Sequence, residues 1–175
     1  TLDSKINVLD IHELSEDIQP PIYDLLLKEI WEEIKQDRDE HKGFIVDEAH
    51  ILADEDNPQT MKFLFQLYKR VRKYGGYATV ATQNVADFLS VGKYGSAILN
   101  NANIKTFLRM SEKDIDELQR FMSFSEKELK VLGMKKSKGR SIHIAAGKRI
   151  EMQTKASIDE LKIIDPKQAK KLEVS

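Results

Sequence analysis

Two adjacent carboxylates, Asp47 and Glu48, follow the apolar run Phe44-Ile45-Val46 in the stretch Gly43 to His50. Acids at the carboxyl end of a strand suit two jobs in nucleotide hydrolysis. Asp47 is the candidate to hold Mg²⁺, directly or through water. Glu48 is the candidate to orient and deprotonate an attacking water. A third polar group, Gln83, ends the next predicted strand, where its amide can reach a γ-phosphate and report its loss. The three converge if neighbouring strands of one parallel sheet carry them, because open α/β sheets bind ligands at the carboxyl ends of their strands. For each residue taken alone the plainer alternative is a polar turn after a strand.

Arginines supply the remaining chemistry. Arg70, Arg72 and Arg109 each offer a planar fork for phosphate oxygens, delivered to a neighbouring subunit. Each also has a simpler role as a surface or cap residue, since Lys69, Arg70, Arg72 and Lys73 crowd the end of a predicted helix and complement its dipole. A strand end is rigid, which makes Arg109 the first choice to act in trans and Arg72 the second. A phosphate-binding loop of the form G-x-x-x-x-G-K-[ST] is absent from the sequence. The nearest segment, Gly133 to Ser141, has glycines one residue too far apart and Arg140 in place of lysine, and a strand follows it where a helix should hold the phosphate. It reads as a surface loop. His12, His41, His50 and His143 lack ligand spacing and cysteine company, and no metal is assigned to them.

Several elements must position these groups. Lys5 to Ile11 is β-branched and apolar and predicts a first strand. Gln19-Pro20-Pro21 opens a helix, with Ile22, Leu26, Ile30 and Ile34 on one face and Leu27 and Trp31 widening it. Lys35 to Lys42 is a solvated helix end and loop. The acidic strand comes next and reads as buried on both faces, so that strand, helix and strand predict a parallel βαβ crossover. The following helix has Asn57 as N-cap, Pro58 at its first position and Gly75-Gly76 as a left-handed stop. Met61, Leu64, Tyr68 and Val71 mark its face, beside Phe63 and Leu67. Tyr77 to Thr82 is a third strand, a short helix closes at Ile98-Leu99, and Ile104 to Met110 is a fourth strand closing on Arg109. Ser111 with Asp114, and more clearly Ser125 with Glu128, predict capped short helices, the second stopped by Gly133. Alternation of Ile142, Ile144 and Ala146 with Ile150 and Met152 predicts a hairpin turning at Gly147-Lys148. A short helix follows Ser157, and the remainder reads as a polar tail.

Composition bounds these readings. A chain of 175 residues accommodates one domain with a sizeable core. A formal net charge of -1 argues against nucleic-acid binding through the overall field, leaving only local basic patches. No run approaches the ~18 apolar residues of a membrane span, and no secretory signal opens the chain. The absence of cysteine excludes disulfides and thiolate metal sites, as suits a reducing cytoplasm. A start at Thr1 that moves straight into a strand-like run predicts a piece of a longer protein.

The order INVLDIHEL, a proline-opened helix, GFIVDEAHIL, FLFQLYKRVRKYGGYATVATQNVADFLS, ILNNANIKTFLRMS and a terminal hairpin resembles the type IV secretion ATPases. More narrowly it is similar to the VirB/TraC class of conjugation ATPases, related to the HerA/FtsK motor superfamily. The resemblance runs from about Lys5 to Asp165, and its RKYG…ATQ segment is its most specific part. It implies a RecA-like α/β P-loop ATPase fold, a mainly parallel sheet flanked by helices, with a C-terminal β-hairpin and without the P-loop segment. Residues 1–165 would be the C-terminal portion of that domain and 166–175 a polar tail. By motif match, Asp47 and Glu48 fall on the family's Walker B element, Gln83 on its sensor glutamine, Arg72-Lys73 on its cationic segment, and Asn103 through Arg109 on its asparagine-to-arginine strand. The implied cofactors are ATP and Mg²⁺. The implied partners are other subunits of the same ATPase in a hexameric ring and components of the secretion channel, with DNA a further candidate. The implied place is the cytoplasmic inner face of the bacterial membrane, without a membrane span, driving DNA or protein transfer or the assembly of pilus or channel. The family's Walker A element lies upstream, so this polypeptide alone is expected to be inactive. Two alternatives remain open at this point. One is a DEAH-box helicase fragment, opposed by the lack of an arginine-rich closing motif and by ATQ in place of a SAT-type turn. The other is a docking or assembly module that retains an ATPase shape.

Overall fold

Helix α1 (Gln19–Gln36) begins with Pro20 and Pro21 inside its first turn, where a missing N–H is not needed by the helix. The computed structural model describes residues 4–11, 13–15, 18–54, 58–90, 93–133 and 139–173. The chain falls into two units: residues 1–102 with 116–122, and residues 103–115 with 123–175.

The first unit is built on a parallel pair. Strand β1 (Gly43–Val46) leads through a 3₁₀ turn (Ala49–Leu52) into helix α2 (Gln59–Arg70), and a second 3₁₀ turn (Val71–Tyr74) leads into strand β2 (Tyr77–Val80). The strands pair in register from Gly43 with Tyr77 to Val46 with Val80. Gly75, at φ +74°, makes the left-handed stop that the sequence announces. Met61, Leu64, Leu67 and Val71 form the buried stripe of the crossover. Helices α3 (Val85–Ser90) and α4 (Tyr94–Asn101) complete the unit, and α2 packs against both α1 and α4. Lys42 ties the end of α1 to the start of the sheet. Its ammonium bonds the Glu33 carbonyl at 2.9 Å and the Glu33 carboxylate at 3.1 Å, and its own carbonyl accepts the Tyr77 N–H at 3.0 Å.

The second unit is antiparallel. Strand β3 (Ile104–Phe107) pairs with β4 (Arg140–Ala145), which pairs in turn with β5 (Lys148–Gln153). Helix α5 (Glu112–Gln119) straddles the division between the units, and α6 (Glu126–Gly133) packs on β4. Helices α7 (Ile158–Ile164) and α8 (Pro166–Glu173) pack on each other. The capping boxes at Ser125 and Ser157 are both formed.

Six expectations need correction. Residues 4–11 form no strand, and Ile6 and Val8 are more than four-fifths exposed. A β-branched run is a strand only where another strand pairs with it, so the parallel crossover is β1–α2–β2 rather than one begun at Lys5. Strand β1 is buried on one face only: Phe44 is covered, while Ile45 is 71% exposed. Three apolar residues are too few to tell a half-buried strand from a fully buried one. Strand β3 stops at Phe107 and belongs to the hairpin sheet, because the Met110 N–H leaves the ladder to bond the Leu132 carbonyl at 3.0 Å. Arg109 therefore lies two residues past the strand rather than at its end. The hairpin turns at Ala146-Gly147, not Gly147-Lys148, with φ of 49° and 75° respectively, the left-handed pair that a tight hairpin demands. Pro166–Glu173 is helical, where the sequence reads as a tail. The proposed cap Asn57 lies outside the described residues, and Pro58 stands at the N-cap of α2, one position earlier than expected.

Candidate functional site

The parallel ladder does not end with its last strand residues. Ala81 N–H donates to the Val46 carbonyl at 2.9 Å, and Ala49 N–H donates to the Ala81 carbonyl at 2.9 Å. These two bonds hold the exits of β1 and β2 side by side. Between them the chain must turn sharply, and Glu48 takes the left-handed conformation at φ 49°, ψ 42°. That conformation costs a residue other than glycine about 1–2 kcal/mol and is concentrated at functional sites. The Asp47 carboxylate helps to fix the turn, its Oδ1 accepting the Glu48 N–H at 2.9 Å.

The turn brings together three of the residues that the sequence singles out. Gln83 Nε2 donates to Glu48 Oε1, linking the exits of the two strands across 35 residues. Asp47 stands exposed beside them. Glu48 Oε2 is sealed from solvent without a hydrogen bond, and His50 Nδ1 lies 3.4 Å from it. The same His50 nitrogen is 3.1 Å from Thr82 Oγ1, and Thr82 in turn bonds the backbone of Asn84. Asn84 caps α3: its Oδ1 accepts the Asp87 N–H at 3.1 Å, and its Nδ2 donates to the Asp87 carboxylate.

Within the first unit, Arg72 is not at this corner. Arg72 precedes β2 and so sits by the amino end of the strand whose carboxyl end carries Gln83. Arg109 belongs to the second unit and is exposed. Three residues of the corner were not singled out from sequence. Asn84 with Asp87 three residues later is a cap signature that could have been read. His50 and Thr82 carry no such mark, being joined only by the fold.

The donor set suits the family's cofactor. Mg²⁺ is bound through one or two carboxylates together with substrate phosphates. Asp47 offers one exposed carboxylate at a strand exit, with Oδ1 engaged by backbone and Oδ2 left over for a cation.

The fold is that of an α/β domain whose polar corner lies at the carboxyl ends of a parallel pair. The family model of the TraG P-loop domain matches residues 2–174, and the chain belongs to that family. The structure of VirB4 of Thermoanaerobacter pseudethanolicus is similar, with a TM-score of 0.77 and 34% sequence identity over 85% of this chain. The match spans 40% of that VirB4 chain. Among curated proteins there is no match. Family and structural likeness place the chain in the TraG/VirB4 class of P-loop domains. Among the described residues, no helix is long and apolar enough to cross a membrane.

Proposed function

We propose that the Asp47-Glu48-Gln83 corner is the hydrolytic half of an ATP site in a conjugative type IV secretion motor. The observation that carries this reading is the direct bond from Gln83 to Glu48 at the carboxyl ends of β1 and β2. Asp47 would hold Mg²⁺, which neutralises charge on the phosphates when bound. Glu48 accepts the proton of the attacking water, its backbone pinned by Asp47 and its carboxylate by Gln83. Gln83 exchanges Glu48 for the γ-phosphate when nucleotide is present, and so links the presence of that phosphate to α3 through Asn84. The sequence has no phosphate-binding loop, and the chain spans less than half of the VirB4 chain it resembles. The loop is therefore assigned to another part of a longer protein, working in a ring of copies at the secretion channel on the cytoplasmic membrane face, with Arg109 or Arg72 reaching a neighbour's phosphates.

The experiment separates the two acids in the whole ATPase. Glu48→Gln is expected to retain Mg·ATP binding and lose turnover, while Asp47→Ala is expected to weaken Mg²⁺-dependent binding. Calorimetric titration with and without Mg²⁺, beside phosphate release, reads both. Equal effects of the two changes on nucleotide affinity would overturn the division of roles.

A further inference from the structure

Glu48 Oε2 is the exceptional atom of the corner: sealed from water and without a hydrogen bond, on a side chain that is otherwise one-third exposed. A proton count shows how the ring beside it is held. Thr82 has a single hydroxyl hydrogen, and it goes to the Asn84 carbonyl at 3.1 Å. The same oxygen accepts the Asn84 N–H at 3.2 Å. One lone pair is left, and it faces His50 Nδ1 at 3.1 Å, so the ring nitrogen is the donor. His50 thus carries a proton on Nδ1, the atom 3.4 Å from the sealed oxygen of Glu48.

We propose that His50, set in its tautomer and orientation by Thr82, is a positioning residue for the Glu48 carboxylate. The proposal rests on the reading of Glu48 as the base. Gln83 holds Oε1 from the exit of β2, and His50 flanks Oε2 from the 3₁₀ turn that follows β1. The Gln83 amide bonded to one oxygen and the Thr82-anchored ring standing against the other restrict rotation of the carboxylate. Thr82 and His50 are separated by 32 residues in sequence, so the clamp closes only when β1 and β2 have paired. The backbone bonds between Ala81, Val46 and Ala49 set its span.

The test uses the whole ATPase, with steady-state hydrolysis read as kcat and KM separately. His50→Ala and Thr82→Val are each expected to lower kcat roughly 10- to 100-fold, the scale of a misplaced catalytic group, with little change in KM for ATP. His50→Asn places an amide N–H where Nδ1 stood and is expected to restore most of kcat, as is Thr82→Ser. Combining His50→Ala with Thr82→Val should cost no more than His50→Ala alone, because both remove one device. Unchanged kcat in His50→Ala, multiplied losses in the double variant, or an asparagine no better than alanine would each overturn the clamp. Should His50→Ala fail to fold, Thr82→Val against Thr82→Ser decides the matter in the same way. Glu48→Gln is run alongside. If it keeps full turnover, the base assignment itself falls; if it is inactive while His50→Ala runs at full rate, the clamp alone falls.

Discussion

Two glutamates, one in each unit, are surrounded in opposite ways. Glu128 in α6 is saturated. Arg149 donates Nε to its Oε1 at 2.7 Å and Nη2 to its Oε2 at 3.3 Å, and the N–H and hydroxyl of Ser125 bond Oε2 at 2.8 and 2.9 Å. The guanidinium also lies 5.2 Å from the Phe124 ring and bonds the Ser123 carbonyl at 3.1 Å. The Arg149 hydrogen bond, with smaller help from Ser125 and against the cost of burial, holds the Glu128 carboxyl below the ordinary glutamate range. Glu48 has instead a neutral amide on one oxygen, nothing bonded to the other, and a left-handed backbone. One carboxylate is fastened by full charge and a helix cap, and its place is to stabilise. The other is held by a single neutral amide on a strained turn, as suits the base proposed above.

Glutamine substitutions give the widest separation. In the whole ATPase, Glu48→Gln is expected to reduce the rate of phosphate release by about 10²–10⁴, whereas Glu128→Gln should leave it unchanged. A comparable loss from Glu128→Gln would erase the distinction. Thermal unfolding sharpens it from the other side. Glu128→Ala removes a capping box and a half-exposed charge pair, and is expected to destabilise by about 1–2 kcal/mol. Glu48→Gly should do the opposite, raising stability by about 1 kcal/mol, because glycine accepts positive φ without strain and no sealed oxygen remains. A Glu48→Gly protein that melts lower than the parent would show that the corner holds the fold together. The smallest effect is on pH. Because the folded value of Glu128 is depressed, its contribution is fully present above the ordinary glutamate value of 4.5 and is lost as pH falls through the lower folded value. The stability gap between the parent and Glu128→Gln should therefore be constant at neutral pH and narrow only below about 4.5, as denaturant melts at stepped pH would show. A gap that widens with acid would contradict the assignment.

What could be read from sequence follows from how local each signal is. Gly75 as a left-handed stop and the Ser125 box are written within a few residues and stand as read, while the α2 stripe buries Leu67 where the sequence put Tyr68. Asp47, Glu48 and Gln83 could be placed at one corner because parallel strands deliver their carboxyl ends together. Lys5 to Ile11 misled because strand propensity has no force without a pairing partner. Helix α8 was hidden because the residue it buries among those described, Ala169, is small, although Asp165 and Pro166 together make a legible start. His50 and Thr82 could not be paired from sequence, since their contact exists only after the crossover between the strands has formed.

The two backbone bonds that run past the strands, Ala81 N–H to Val46 and Ala49 N–H to Ala81, also set the clock of the corner. Amides held in this way exchange with solvent only when the strands part, an event as rare as the opening of the whole parallel pair. Exposed side chains such as Gln83 turn over in picoseconds to nanoseconds. The floor beneath Glu48 thus outlasts any one arrangement of the groups standing on it by many orders of magnitude, and Gln83 can change partners countless times within a single lifetime of the sheet.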